Sequence, residues 1–179
     1  MRRPGGRKVL EPEQAADAIL ARNVATGLLA GRDHAIADLS RKLEQRGFTP
    51  AAIAVALTEL KGSNALNDER YGQNVVRYRS RRGQGPARIR LELRRSGVNA
   101  ELAEAAVKGG DDAPDFIALA RQARIRKFGP DIPSDWKERA KQARFLQYRG
   151  FSNDHIRAAL EGDPEADSDS DAGSEPDQS

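Results

Sequence analysis

The chain is 179 residues long, 32% charged and only 5% aromatic, a composition that suits thin layers of helix better than one thick core. It has no cysteine, which excludes disulfide frameworks, cysteine-ligated zinc, iron–sulfur clusters and thiol catalysis. The formal charge of +3 is the remainder of two opposed regions: residues 161–179 carry eight acids and no Lys or Arg, so removing them leaves +11 on residues 1–160.

Residues 1–11 read as a flexible N-terminus: Arg2-Arg3 is followed by no apolar segment, so the pattern of a secretion signal is missing. The longest apolar run in the chain, Ala51 to Leu57, is far short of a membrane span, and the expected location is the cytoplasm. After Pro12 a first helix is expected, with Ile19, Leu20, Val24 and Leu28 on its apolar face. Leu43 to Thr49 then ends one helix and starts another. Gly47 suits the left-handed terminating position, Phe48 can fold back onto Leu43, Thr49 is a good N-cap and Pro50 a good first helical residue. Ile53 and Leu57 give the new helix its apolar face.

The same corner recurs at Leu93 to Asn99 around Gly97, and at Leu146 to Ser152 around Gly150. The three glycines are 50 and 53 residues apart, and Ala103 with Val107, and Ile156 with Leu160, repeat the apolar pair that follows. A further helix precedes each of the later corners. Asn67-Asp68-Glu69 caps one that carries Tyr71, Val75 and Tyr78, and Asp112 with Pro114 starts another that carries Phe116, Leu119, Ala120 and Ala123. Pro86 opens the middle helix of the second unit, and Ser134 caps that of the third. No alternating apolar pattern supports a strand. The predicted fold is all-α, an elongated tandem array of three three-helix repeats over residues 12–60, 67–108 and 112–161, followed by a disordered acidic tail over 162–179. In this scheme Gly47, Gly97 and Gly150 are structural caps.

Catalytic patterns are sparse. Asp33-His34 with Asp38 reads as a helix N-terminus with acids near its positive end, and His155 reads as an exposed helix residue. Gly83-Gln84-Gly85-Pro86 lacks the Lys-Ser/Thr ending of a phosphate loop and reads as a basic turn between helices. No cofactor, metal site or enzymatic activity is expected.

Charge is the strongest functional signal. Arg77, Arg79, Arg81, Arg82, Arg88, Arg90, Arg94 and Arg95 face the single acid Glu92 within nineteen residues. Such self-repulsion suits a surface that meets a polyanion or an acidic protein. A second basic set follows in the third repeat: Arg124, Arg126, Lys127, Lys141, Arg144 and Arg149. Tyr71, Tyr78 and Tyr148 read as core or rim residues, and Trp136 as a packing anchor of its helix. The tail reads either as a solvating segment or as an intramolecular competitor for the basic face.

Three stretches carry a family resemblance. Leu66 to Tyr71, Arg79 to Leu93 with Gly97-Val98, and Arg126-Lys127-Phe128-Gly129 with Arg144 to Phe151 resemble the RecX family of recombination regulators. The resemblance spans about residues 12–160 and does not extend to the acidic tail. It implies a non-catalytic modulator of the RecA recombinase, and a monomer is the expected state. Such a protein lies in the groove of the RecA–single-stranded-DNA filament and lowers ATP hydrolysis, strand exchange and SOS-repressor cleavage. DNA, single- or double-stranded, is the accompanying partner. The alternative is a direct DNA-binding or transcriptional module that uses its basic helix–corner–helix units. A nucleic-acid-modifying enzyme is the reading with least support.

Overall fold

The structure, a computed structural model, describes residues 10–110 and 113–161. The terminal segments outside that range, and Asp112, lie beyond the described residues. The described residues are all-helical, in the order α1 (Pro12–Ala15), α2 (Ala18–Gly31), α3 (Ile36–Glu44), α4 (Pro50–Gly62), α5 (Asp68–Arg81), α6 (Pro86–Arg95), α7 (Ala100–Lys108), α8 (Phe116–Phe128), α9 (Trp136–Tyr148) and α10 (Asn153–Glu161). Among the described residues no helix is long and apolar enough to cross a membrane.

The three predicted corners are built alike, because the same local hydrogen bonds satisfy the same orphan groups. Gly47, Gly97 and Gly150 take φ of 95°, 90° and 88°. The amides of Phe48, Val98 and Phe151 donate to the carbonyls of Leu43, Leu93 and Leu146 at 3.3, 3.1 and 3.2 Å, the long bond of a Schellman cap. Thr49, Asn99 and Ser152 then accept from amides three residues ahead. A fourth corner of this kind closes α5: Gly83 has φ 70° and the Gln84 amide donates to the Arg79 carbonyl at 3.1 Å. Gln84 is polar where the other three corners have an apolar residue, which hides the likeness in the sequence.

The described residues pack as two compact units. One holds the chain up to Val75 together with Leu91–Lys108, and the other holds Val76–Arg90 together with the residues from Gly109 onward. Helices α5 and α6 therefore each contribute to both. In the first unit α2 packs along α4, where Ala21 and Ala25 on one side and Ala52 and Ala56 on the other let the backbones approach. Leu39, Leu43 and Leu66 are almost wholly buried in the same cluster, each burial contributing about 1.5–3 kcal/mol. Side chains tie the unit's loops: Asp68 accepts from the Ile36 amide at 2.8 Å, and Asn74 donates to Asp33 at 2.7 Å. The first satisfies an orphan donor at the start of α3.

In the second unit α8, α9 and α10 pack on one another through Phe116, Ala120, Ala123, Leu146, Ile156 and Leu160. Here the start of α6 docks onto the end of α9. The Gly85 and Ala87 amides donate to the carbonyls of Arg149 and Gly150 at 2.8 and 3.0 Å. Donors left over at one helix's N-terminus thus meet acceptors left over at another's C-terminus, with their dipoles in favourable order.

Several expected details differ. Ile19 is 64% exposed, whereas Leu20, Val24 and Leu28 pack partly buried against the core, and the fully buried residues of α2 are Ala21 and Ala25. On α5 the buried stripe is Gly72, Val76 and Ser80, one residue on from Tyr71 and Val75 and two on from Tyr78. Gly72 has no room for a larger face, since a Cβ there would lie 3.1 Å from that of Ala106. Asp115, not Asp112 with Pro114, caps α8, accepting from the amides of Ile117 and Ala118. Asp135, not Ser134, caps α9 and accepts from the Glu138 amide. Trp136 is no packing anchor: it is 71% exposed. His155 is half-buried between Phe116 and Phe151, and its Nδ1 accepts from the Ser152 amide. Burial, with a smaller push from Arg90, holds its imidazole below the usual histidine range against Asp154 and Asp115.

Candidate nucleic-acid interface

The second unit contains an open cleft of about 260 Å³. Its rim is the last turn of α5, its walls are α8 and the end of α9, and its lining includes Arg81, Arg82, Arg126, Lys127 and Arg149 with Leu119, Ala123 and Phe145. Among the described residues, five cations and no acid line it. A concave surface of one sign focuses the field and draws anions.

Each cation is placed by a different device. Arg149, at the α9 cap, donates to the carbonyls of Arg82 and Gly83 at 3.2 and 3.1 Å and stacks over Phe145, 4.6 Å from the ring centre. Its guanidinium holds the α5 corner and leaves its charge at the cleft. Arg82 lies 5.3 Å from the ring centre of Tyr78, one turn earlier, and donates to its hydroxyl. Arg81, Arg126 and Lys127 are exposed and enter no ion pair among the described residues. Their charge is therefore available to an incoming anion.

The structure separates the fourteen basic residues expected at the interface. Arg81, Arg82, Arg126, Lys127 and Arg149 meet in the cleft. Arg77, Arg79, Arg88, Arg90, Lys141 and Arg144 belong to the same unit outside the cleft lining. Of these, Arg88 stacks on Tyr148 and Lys141 pairs with Glu138 at 3.3 Å. Arg94 and Arg95 are exposed but belong to the other unit. Arg124 is a correction: it is 2% exposed and is a clamp, not a contact surface. Its guanidinium donates to the carbonyls of Gly129, Pro130 and Asp131 at 3.4, 2.9 and 2.7 Å, folding the loop after α8. Burial lowers its pKa and Asp131 opposes that shift. Arg124→Ala should lower stability by about 2–4 kcal/mol, because three carbonyls lose a charged donor and a void opens. Thermal unfolding followed by circular dichroism should show a midpoint roughly 5–10 °C lower. An unchanged midpoint would mean the loop holds itself.

Two tyrosines of the same unit stand at the surface outside the cleft lining. Tyr148 is 80% exposed and Tyr78 is 53% exposed, so neither is a core residue. His34, by contrast, is buried with its Nδ1 2.8 Å from Asp38, a pair at the start of α3 in the other unit. Among the described residues no group of three or more His, Asp or Glu side chains could hold a metal ion.

Comparison with known proteins places the chain. Profiles of the first, second and third three-helix domains of RecX match residues 21–60, 67–107 and 114–160 in order. The chain belongs to the RecX family. It is 39% identical over 155 residues to "Regulatory protein RecX" of Halorhodospira halophila, covering 87% of this chain and 95% of that one. It is 42% identical over 144 residues to the protein of the same name from Pseudomonas tolaasii, covering 80% and 92%. The crystal structure of RecX from Lactobacillus salivarius shares the fold, with a TM-score of 0.69 at 20% identity over 81% of this chain and 95% of that one. The RecX relatives are named as regulatory proteins, and the three-domain helical plan read from the three glycine corners is the plan of this family.

Proposed function

We propose that this RecX-family chain is a non-catalytic regulator of a RecA recombinase. It binds the RecA–single-stranded-DNA filament as a monomer in the cytoplasm and reduces ATPase, strand-exchange and co-protease activity. Family membership supports the partner, and one observation carries the mode of contact: a cleft with five cations and no acid, in which Arg81, Arg126 and Lys127 are exposed without an ion-pair partner among the described residues. A row of such charges neutralises phosphates and releases counterions, which supplies affinity without reading sequence. The remaining arginines of the same unit extend the footprint toward protein.

The deciding measurement is RecA-dependent ATP hydrolysis on single-stranded DNA with the full-length chain added. Inhibition well below one copy per RecA is the expected result. Duplex binding with RecA activity untouched would favour a direct DNA-binding module and overturn the regulatory reading.

A further inference from the structure

We propose that Tyr148 is a stacking platform for an unpaired base of single-stranded DNA whose phosphates lie in the neighbouring cationic cleft. The inference rests on the proposed nucleic-acid contact of that cleft and adds what reads the strand as single.

Tyr148 ends α9 and is, among the described residues, the most exposed large apolar-bodied side chain, at 80%. A tyrosine ring offers a broad apolar face that is normally covered, by core or by a partner. Here the ring is not loose. The Arg88 guanidinium lies 5.5 Å from its centre and also donates to the Tyr148 carbonyl at 3.3 Å. The cation orients the ring and raises the local positive potential.

Position completes the argument. Arg149, the next residue, and Phe145, one helical turn back, both line the cleft. A strand whose backbone follows the cations there passes the end of α9, the turn that carries Tyr148. An aromatic platform beside a basic groove is what sequence-tolerant single-strand binding requires, because every base has a π face and duplex bases are already stacked. Tyr78 is the internal comparison. It is less exposed, and both Arg79 and Arg82 sit 5.3 Å from its ring centre, so its faces serve the protein's own cations.

The test is fluorescence anisotropy of the full-length chain with three labelled probes of equal length: an oligo-dT strand, an abasic strand and a duplex. Wild type should bind oligo-dT about ten-fold more tightly than the abasic strand. Tyr148→Ala should bring oligo-dT down to the abasic level, with an unchanged far-UV spectrum because the ring is exposed, and Tyr148→Phe should restore it. Tyr78→Ala should move the ratio little. Equal binding of oligo-dT and the abasic strand by wild type would overturn the stacking role and leave the cleft intact. Binding of neither strand would overturn both readings. Should Tyr148→Ala keep full oligo-dT affinity but lose inhibition of RecA, the ring is a protein contact and the proposal falls.

Discussion

Reversing Arg126 and Lys127 together to glutamate should weaken single-stranded DNA binding at least thirty-fold at low salt, about 2 kcal/mol. Both residues lie in the last turn of α8, are exposed and line the cleft, so the double variant replaces two attractions with two repulsions where phosphate would sit. The dependence of affinity on salt should also become shallower by roughly 1.4 logarithmic units per decade, as two fewer phosphates are neutralised on a single strand. Basic residues near a helix C-terminus also favour the dipole, so a small loss of stability, about 1 kcal/mol, should accompany the change. Neutralising both residues to alanine gives the smaller version of the same effect and keeps helix propensity high. Arg94→Glu with Arg95→Glu is the control from the other unit and should matter less. If that pair weakens binding more than Arg126 and Lys127 do, the footprint is not the cleft.

Gly85→Ala should be among the most damaging single-methyl changes in the chain, lowering stability by about 3–5 kcal/mol and the melting midpoint by roughly 10 °C. The reason is proximity. A Cβ on Gly85 would stand 2.3 Å from the carbonyl carbon of Gly150 and 2.4 Å from the Phe151 nitrogen. Those are backbone atoms held by the Gly85–Arg149 and Ala87–Gly150 hydrogen bonds, and no rotamer change can move them aside. Relief requires the start of α6 to lift from the end of α9, which exposes the donors and acceptors that now satisfy each other. Gly47→Ala is the calibrating variant. Its φ of 95° is unfavourable for alanine, yet the nearest atom to a new Cβ is a flexible Leu10 methyl 4.0 Å away, so a cost of only about 1 kcal/mol is expected. Equal melting losses at Gly85 and Gly47 would show that the corner of α9 yields easily.

Local information made the architecture legible. Each corner is written in a few adjacent residues: leucine, glycine, an apolar residue and an N-cap. Their hydrogen bonds close within six residues, so Gly47, Gly97 and Gly150 could be placed before any packing was known. The family stretches are local for the same reason. Helix faces were less legible where small side chains decide them. Ala21 and Ala25 are buried where α2 lies along α4, and Gly72 where the Ala106 Cβ comes close, and nothing in hydropathy distinguishes them from exposed alanines and glycines. The cap residues of α8 and α9 were misplaced because Asp112, Asp115, Ser134 and Asp135 are all competent caps, and only the path of the chain chooses among them.

At the candidate interface, the sequence by itself determined the amount of positive charge and that Glu92 is the single acid within the Arg77–Arg95 run. Tertiary packing decided which charges meet. Arg81 and Arg82 at the end of α5 come together with Arg126, Lys127 and Arg149 from α8 and the α9 corner, more than forty residues on, while Arg94 and Arg95 fall in another unit. Packing also withdrew Arg124 into a carbonyl cage and turned Tyr148 outward. Charge is a property of composition and survives any folding. Which side of a helix a side chain occupies depends on what the helix lies against, and that is fixed only when the helices dock.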